Sequence, residues 1–358
     1  MAPHRIAAFN ALAADPDLDV SFLYLARTDP SREWDAHEDE MRFRHHVLHE
    51  WGTIRRGSSY VHVTTGLMGL LREIRPDVLV VGGWSQVAYL EALGLRDVLR
   101  YRFIWWVESN LRDRRPASSW LRRTKRRLIA GVDGVVVPGT ASRDYARALG
   151  ARGDAIWLAP NAVDNERYRR AAIDRTGRSG PGQVLFVGRL ESEKGVLTLL
   201  DAWSGIEVPG ELAIVGTGSL GASLAERVAN EAMPPVRMLG HHGRDELADR
   251  YAQADLFVFP SVSDPWGLVV NEAMASGLPL VASSSAGAVA DLVQDGRNGF
   301  VVEPGDVDAL REALSTLIAD PAERIRMGRE SSTMIDAFTP KAWARGMREA
   351  VIGVLRAA

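Results

Sequence analysis

The chain has 358 residues and no cysteine. At about 100–200 residues per domain, that length suits two domains. The missing thiols exclude disulfides, cysteine nucleophiles and thiolate-bound metals. Hydrophobic residues make up 46% and charged residues 25%, a globular mixture, and a net charge of −3 supplies no basic field for nucleic acid.

Residues 1–5 lead into helix-like sequence and then Asp15, Asp17 and Asp19, without the apolar segment of a secretory signal. The longest uncharged stretch, 273–290, is broken by Gly277, Pro279 and Gly287. A membrane span needs about 20 mostly apolar residues, so the reading is a cytoplasmic protein. Val/Ile/Leu/Phe runs at 20–25, 78–81, 103–107, 134–137 and 155–158 predict strands, and 64–74, 119–130 and 142–149 predict helices. Segment 164–182 is rich in arginine and glycine and lacks a core pattern, so it reads as an interdomain linker. Further runs follow at 184–187, 212–215, 236–239, 256–259, 278–282 and 300–302, with helices at 220–232, 245–253 and about 267–276.

Continuous apolar runs without alternation fit parallel strands buried on both faces. The βα order, repeated in both halves, predicts an α/β protein with two Rossmann-like domains facing each other across a cleft, followed by C-terminal helices. The expected division is domain 1–163, linker 164–182, domain 183–335 and a last helix, 336–358, packing back on the N-terminal domain.

Ligands of open α/β sheets bind beyond the carboxyl ends of the strands, so the loops there carry the chemistry. In VGRLESEKGV, Gly188 permits a tight strand exit, and the fork of Arg189 with the point charge of Lys194 suits a diphosphate. The alternative is a solvated loop whose cations pair with Glu191 and Glu193. In IVGTGSL, Gly216 either turns the chain or brings the backbone close to a nucleotide. The segment FPSVSDPWGLVVNEAMASGLPLVAS speaks most clearly. Its N–H groups at Gly267, Leu268 and Val269 open a helix and form an anion site. Glu272, on the second turn, can accept both hydroxyls of a ribose. Asp264 either bonds a sugar hydroxyl or is a turn residue or helix N-cap.

At these residues the second half resembles the C-terminal domain of the retaining GT-B glycosyltransferases of the large group 1 family (family four). The likeness runs through FVGRLESEKG, LAIVGTGSL, VRMLGHHGRDEL, YAQADLFVFPS, the acid-x7-Glu segment and LVQDGRNGFVVEPGD. It implies that Arg189 and Lys194 hold a donor diphosphate, that 267–269 receive its phosphates, and that Glu272 takes the ribose. It also implies that Asp264 contacts the donor sugar and that Gly240 and His241 meet the base. The donor is then a nucleotide diphosphate sugar, UDP-linked by default, and neither metal nor cofactor is expected.

Three departures stand out. Asp264 replaces the usual glutamate and reaches one methylene less. GAVAD, with Ala288 and Asp291, stands where the family has GG-x-x-E, and a structural adjustment of modest effect is expected. The chain opens on MAPHRIAAFNALA, which looks like the loop and helix that follow a first strand, so either that strand is lost to a misplaced start or the sheet lacks it.

The N-terminal half diverges more. Glu108 occupies about the place of a histidine found in many relatives. It is either a polar contact or base at the sugar, or a loop carboxylate paired to Arg112 or Arg114. Seven of the ten tryptophans precede residue 161, either as core or as an aromatic acceptor wall. Segment 112–127 holds Arg112, Arg114, Arg115, Arg122, Arg123, Lys125, Arg126 and Arg127 around Trp120 and Leu121. It is either a solvated face or a peripheral contact with an anionic membrane or acceptor. The expected activity is transfer of a sugar with retention of configuration. The alternatives are a sugar-nucleotide epimerase of the same architecture and a silent sugar-nucleotide-binding partner.

Overall fold

The apolar runs become parallel strands in a computed structural model that describes residues 2–27, 36–56, 59–84, 86–112, 119–172 and 182–357. The first half contains α1 (Ile6–Ala13), β1 (Ser21–Tyr24), β2 (Arg44–Val47), β3 (His49–Arg56), β4 (Ser59–Thr65), α2 (Leu67–Ile74), β5 (Val78–Gly82), α3 (Val87–Leu99), β6 (Arg102–Trp106), α4 (Ser119–Ala130), β7 (Gly134–Val137), α5 (Thr140–Ala148), β8 (Ile156–Leu158) and α6 (Asn165–Ala171). The second half contains β9 (Gly182–Val187), α7 (Val196–Trp203), β10 (Gly210–Val215), α8 (Gly221–Asn230), β11 (Val236–Gly240), α9 (Arg244–Gln253), β12 (Leu256–Phe259), α10 (Leu268–Ala275), β13 (Leu280–Ser283), α11 (Val289–Leu292) and β14 (Gly299–Val302). The helices α12 (Val307–Ala319), α13 (Pro321–Met334) and α14 (Pro340–Arg356) complete the chain.

Strands β9–β14 form one parallel sheet in the order β11-β10-β9-β12-β13-β14. Its central strands are buried on both faces, with Val184, Phe186, Phe257 and Val258 at 0% exposure. That is the burial a continuous apolar run predicts. The first half is more divided. Strands β5-β6-β7-β8 form a parallel sheet, β1 pairs in parallel with β2, and β3 and β4 form an antiparallel hairpin. Among the described residues, β1 pairs with β2 alone and β5 with β6 alone. Both nevertheless feed the same two apolar clusters, Leu23 beside Leu79 and Val81, and Phe22 beside Val78 and Val80.

Three expectations are corrected. The helix expected over 64–74 starts at Leu67, because Thr64 and Thr65 end β4 and Gly66 turns the chain at φ 91°. The strand expected from 278 starts at Leu280. The N–H of Leu278 returns to Ala273 O (3.0 Å) and closes the end of α10 behind Gly277 at φ 68°. The linker expected over 164–182 begins as a helix. Asp164 caps α6 by accepting the Arg167 N–H, Tyr168 is buried in the second-half core, and Asn165 donates to the carbonyls of Ile335 and Phe338. Residues 173–181 of that segment lie outside the described ones.

Helix α14 returns to the first half. Trp343, Met347, Ala350 and Val354 pack with Ala8, Leu12, Ile104 and Val136, and Arg348 pairs with Asp15 and Asp17. Full burial of such large side chains stabilises by about 1.5–3 kcal/mol each.

Candidate functional site

A cavity of about 1090 Å³ opens between the halves. The second half lines it with the exits of β9, β10 and β11, at Gly188, Arg189, Gly216 and His241, and with Glu272. The first half lines it with His4, Asn10, Glu40 and Arg42. The turn at 38–42 is tied down by Asn10, which donates to Glu40 O (2.9 Å) and accepts the Arg42 N–H (2.7 Å). Glu40 then reaches across to Arg244 and, at 3.7 Å, to Arg167.

The glycine-bearing loops are shaped by each other. Gly216 has φ 141°, and a Cβ there would stand 1.9 Å from Gly188 O. The turn reading of Gly216 is therefore sufficient: only glycine lets β10 leave beside the Arg189 loop. Glu191 fixes that loop from the other side by accepting the N–H (2.9 Å) and hydroxyl (2.6 Å) of Ser219, which hold its carboxyl below the usual range.

Arg189 pairs with Glu193 at 2.7 Å, with both side chains about a third exposed. Such a pair is worth about 0–1 kcal/mol, so the guanidinium can be released to another anion at little cost. Lys194 is different. Its Nζ meets Asp264 Oδ2, the two side chains are only 14% and 12% exposed, and the ammonium lies 5.8 Å from the Phe259 ring. The Oδ1 of Asp264 accepts the Trp266 N–H (3.1 Å). Asp264 thus shapes its own turn, as one alternative had it, while its other oxygen neutralises the lysine. It does not cap α10, whose N-cap position is Gly267 at φ 95°. Lys194, Asp264, Glu108, Gly240, Gly267, Leu268 and Val269 lie outside the cavity lining.

Glu272 faces the cavity yet is buried among aromatic rings. Tyr251 donates to its Oε2 (2.9 Å), Tyr168 also donates to it, and the two tyrosine rings meet edge to face at 5.6 Å. Burial raises its pKa to about 7, opposed by the two phenol hydrogen bonds. The phenols are pushed well above 10, first by burial.

Glu108 pairs with Arg5 and not with Arg112. Its Oε1 accepts Arg5 Nη2 (2.5 Å) and Asn161 Nδ2 (2.9 Å), while Arg5 lies 4.6 Å over the Trp106 ring. Arg112 instead donates to Ser284 O (2.7 Å), and Arg114 lies outside the described residues. Trp105 is fully buried and stacks on Trp84, whereas Trp51 and Trp120 are 78% and 72% exposed. Tyr168, Tyr251 and Arg5 were missed from sequence. The signal for Tyr168 was the N-cap Asp164 with Glu166 behind it, obscured by the arginines around it.

The fold and this interlobe site define the GT-B class of glycosyltransferase. The chain aligns with sucrose-phosphate synthase from Thermosynechococcus elongatus at a TM-score of 0.77 and 22% identity, covering 98% of this chain and 92% of that one. It aligns with Anabaena HepE in complex with UDP and glucose at a TM-score of 0.73 and 18% identity, covering 94% and 100%. The profile of glycosyl transferases group 1 matches residues 181–320, and that of Glycosyltransferase Family 4 matches residues 11–167. Glycogen synthase of Mycobacterium tuberculosis is 34% identical over 278 residues, 73% of this chain and 65% of that protein. The chain belongs to the group 1, family 4 glycosyltransferases. Its match spans just under two thirds of that relative's length.

Proposed function

We propose that the protein transfers a sugar from a nucleotide diphosphate sugar to an acceptor hydroxyl, with retention of anomeric configuration. Residues 1–163 form the acceptor lobe and 183–335 the donor lobe. The observation that carries this reading is one cleft lined by both halves, with Arg189 and Glu272 on its wall and the Lys194–Asp264 pair behind it. As the C1–O bond lengthens, charge grows on the departing diphosphate. In this reading Arg189, Lys194 and the start of α10 meet that charge, and they help most in the transition state. Asp264, beside Lys194, takes the sugar end of the donor. Glu272 takes the ribose hydroxyls, and Gly240 and His241 take the base. HepE is solved with UDP, which favours a UDP-sugar here. Arg5 and Asn161 both bond Oε1 of Glu108, and in this reading the departing phosphate oxygen accepts the proton of the attacking hydroxyl.

The exposed side chains of Arg122, Arg123, Arg126 and Arg127 on α4, with Trp120 beside them, support a peripheral contact with an anionic membrane surface. Among the described residues, no helix is long and apolar enough to cross a membrane.

Incubation with a panel of labelled nucleotide sugars, with and without hydroxyl acceptors, tests the reading. Acceptor-dependent release of nucleoside diphosphate with an α-linked product from an α-linked donor is expected. An altered sugar without acceptor identifies an epimerase, and binding without turnover identifies a silent partner; either outcome overturns the proposal.

A further inference from the structure

The loop carrying Asp264 is gripped by both lobes. From its own lobe, the N–H of Gly287 donates to Asp264 O (3.1 Å), and that of Ala288 donates to Trp266 O (2.9 Å). From the other lobe, the side chain of Asn110 donates to Asp264 O (3.0 Å). Asn110 is 3% exposed, and its Oδ1 accepts the Arg112 N–H (2.9 Å), which fixes the direction of its amide.

A second grip lies one turn further along the same segment. The carboxylate of Asp291 accepts the backbone N–H (2.9 Å) and the hydroxyl (2.6 Å) of Thr140, the first residue of α5 in the other lobe. The N-cap position of α5 is Gly139, which has no side chain to satisfy that end. Asp291 therefore caps a helix of the opposite lobe, where a negative charge is favourable. Space at this point is tight: a Cβ on Gly139 would lie 2.3 Å from Asp291 Oδ2 and 2.6 Å from the Trp266 ring. Gly139 itself is extended, at φ −178°, so the limit there is steric contact and not backbone strain.

We propose that Asn110 and the Asp291–Thr140 pair form a two-point clasp, through which closure of the acceptor lobe sets the position of Asp264. Both are positioning residues that act through the Asp264 loop. The aspartate of the GAVAD departure is the residue that joins the lobes here. The role of Asp264 at the sugar rests on the proposed function, whereas the clasp is read without it.

The absence of native cysteine permits a direct test. Spin labels at Arg147→Cys on α5 and Glu312→Cys on α12, both exposed positions, report the distance between lobes. Asn110→Ala, Asp291→Ala and the wedge Gly139→Ala are expected to lengthen or broaden that distance. Each should lower turnover by roughly tenfold to a hundredfold, the loss expected when a reacting group is misplaced by about 1 Å. Affinity for UDP, read by calorimetry, should change less than about twofold, because Arg189 and Glu272 are untouched. Asp291→Asn keeps one oxygen acceptor and should fall between the wild type and Asp291→Ala. Unchanged label distances in all three variants overturn the clasp, as does a loss of UDP affinity equal to the loss of turnover. A wild-type chain that transfers no sugar overturns the proposed function instead, and leaves the distance measurement to decide the clasp.

Discussion

The two lobes bury their apolar residues in different ways. The donor lobe threads one six-stranded sheet through two clusters in which most members are fully buried. The acceptor lobe divides its strands among three sheets and leaves Trp51, Ile54, Val87, Leu90, Leu111 and Trp120 more than half exposed. The contrast teaches where each lobe is constrained. The donor side is bound by close backbone contacts, such as those at Gly216 and Gly195, which permit little variation. The first half carries exposed apolar side chains on its hairpin, Trp51 and Ile54, and on α3, Val87 and Leu90, where substitution disturbs no core.

Breaking the donor side should have the largest consequence. Lys194→Ala leaves Asp264 buried and unpaired, which costs about 3–5 kcal/mol and should lower turnover at least about tenfold. Denaturant unfolding and steady-state rates measure the two effects. In Lys194→Met with Asp264→Leu, stability should return while activity does not; recovered turnover would show the pair to be structural only. In the acceptor lobe, Trp343→Ala should cost about 3–5 kcal/mol, although Trp343 comes from the far end of the chain. Thermal melts that leave the first lobe unaffected would separate α14 from its core.

Glu272 sharpens the comparison through pH. Its folded pKa, raised from 4.5 to about 7, means that the folded chain holds a proton the unfolded chain has released. The contribution of Glu272 to stability is then greatest below pH 4.5, falls by about 3 kcal/mol between there and pH 7, and is flat above. Glu272→Gln should remove that slope. If the carboxylate accepts ribose hydroxyls, nucleotide binding should release a proton near pH 6, visible as a buffer-dependent heat. The smallest effect is expected at Trp51, where 78% exposure puts Trp51→Ala within about ±0.5 kcal/mol. A large loss there would mean that the hairpin is covered in solution.

The same contrast explains what was legible in the sequence. Continuous apolar runs marked every strand of the donor sheet to within two residues, because a strand buried on both faces leaves an unmixed signal. The hairpin β3–β4 went unread. Its Thr53, Ile54, Val61 and Val63 are β-branched around the turn signal Gly57-Ser58, but one polar face dilutes the pattern. At the site, Arg189, Lys194, Asp264 and Glu272 were visible as residue types at loop ends. The partner of Glu108 was not, since Arg5 lies 103 positions away and only packing joins them. Nor was the capping of α5 by Asp291, which no local pattern encodes.

The return of α14 to the first lobe has a consequence for synthesis. Translation delivers Ile104 and Val136 long before Trp343 and Val354, which cover them. While the second half is being made, the apolar face around Ile104 and Val136 has α1 but not α14 packed against it. A nascent chain of this protein therefore carries a sticky surface for most of its time on the ribosome, and chaperone demand should peak before the last 20 or so residues emerge.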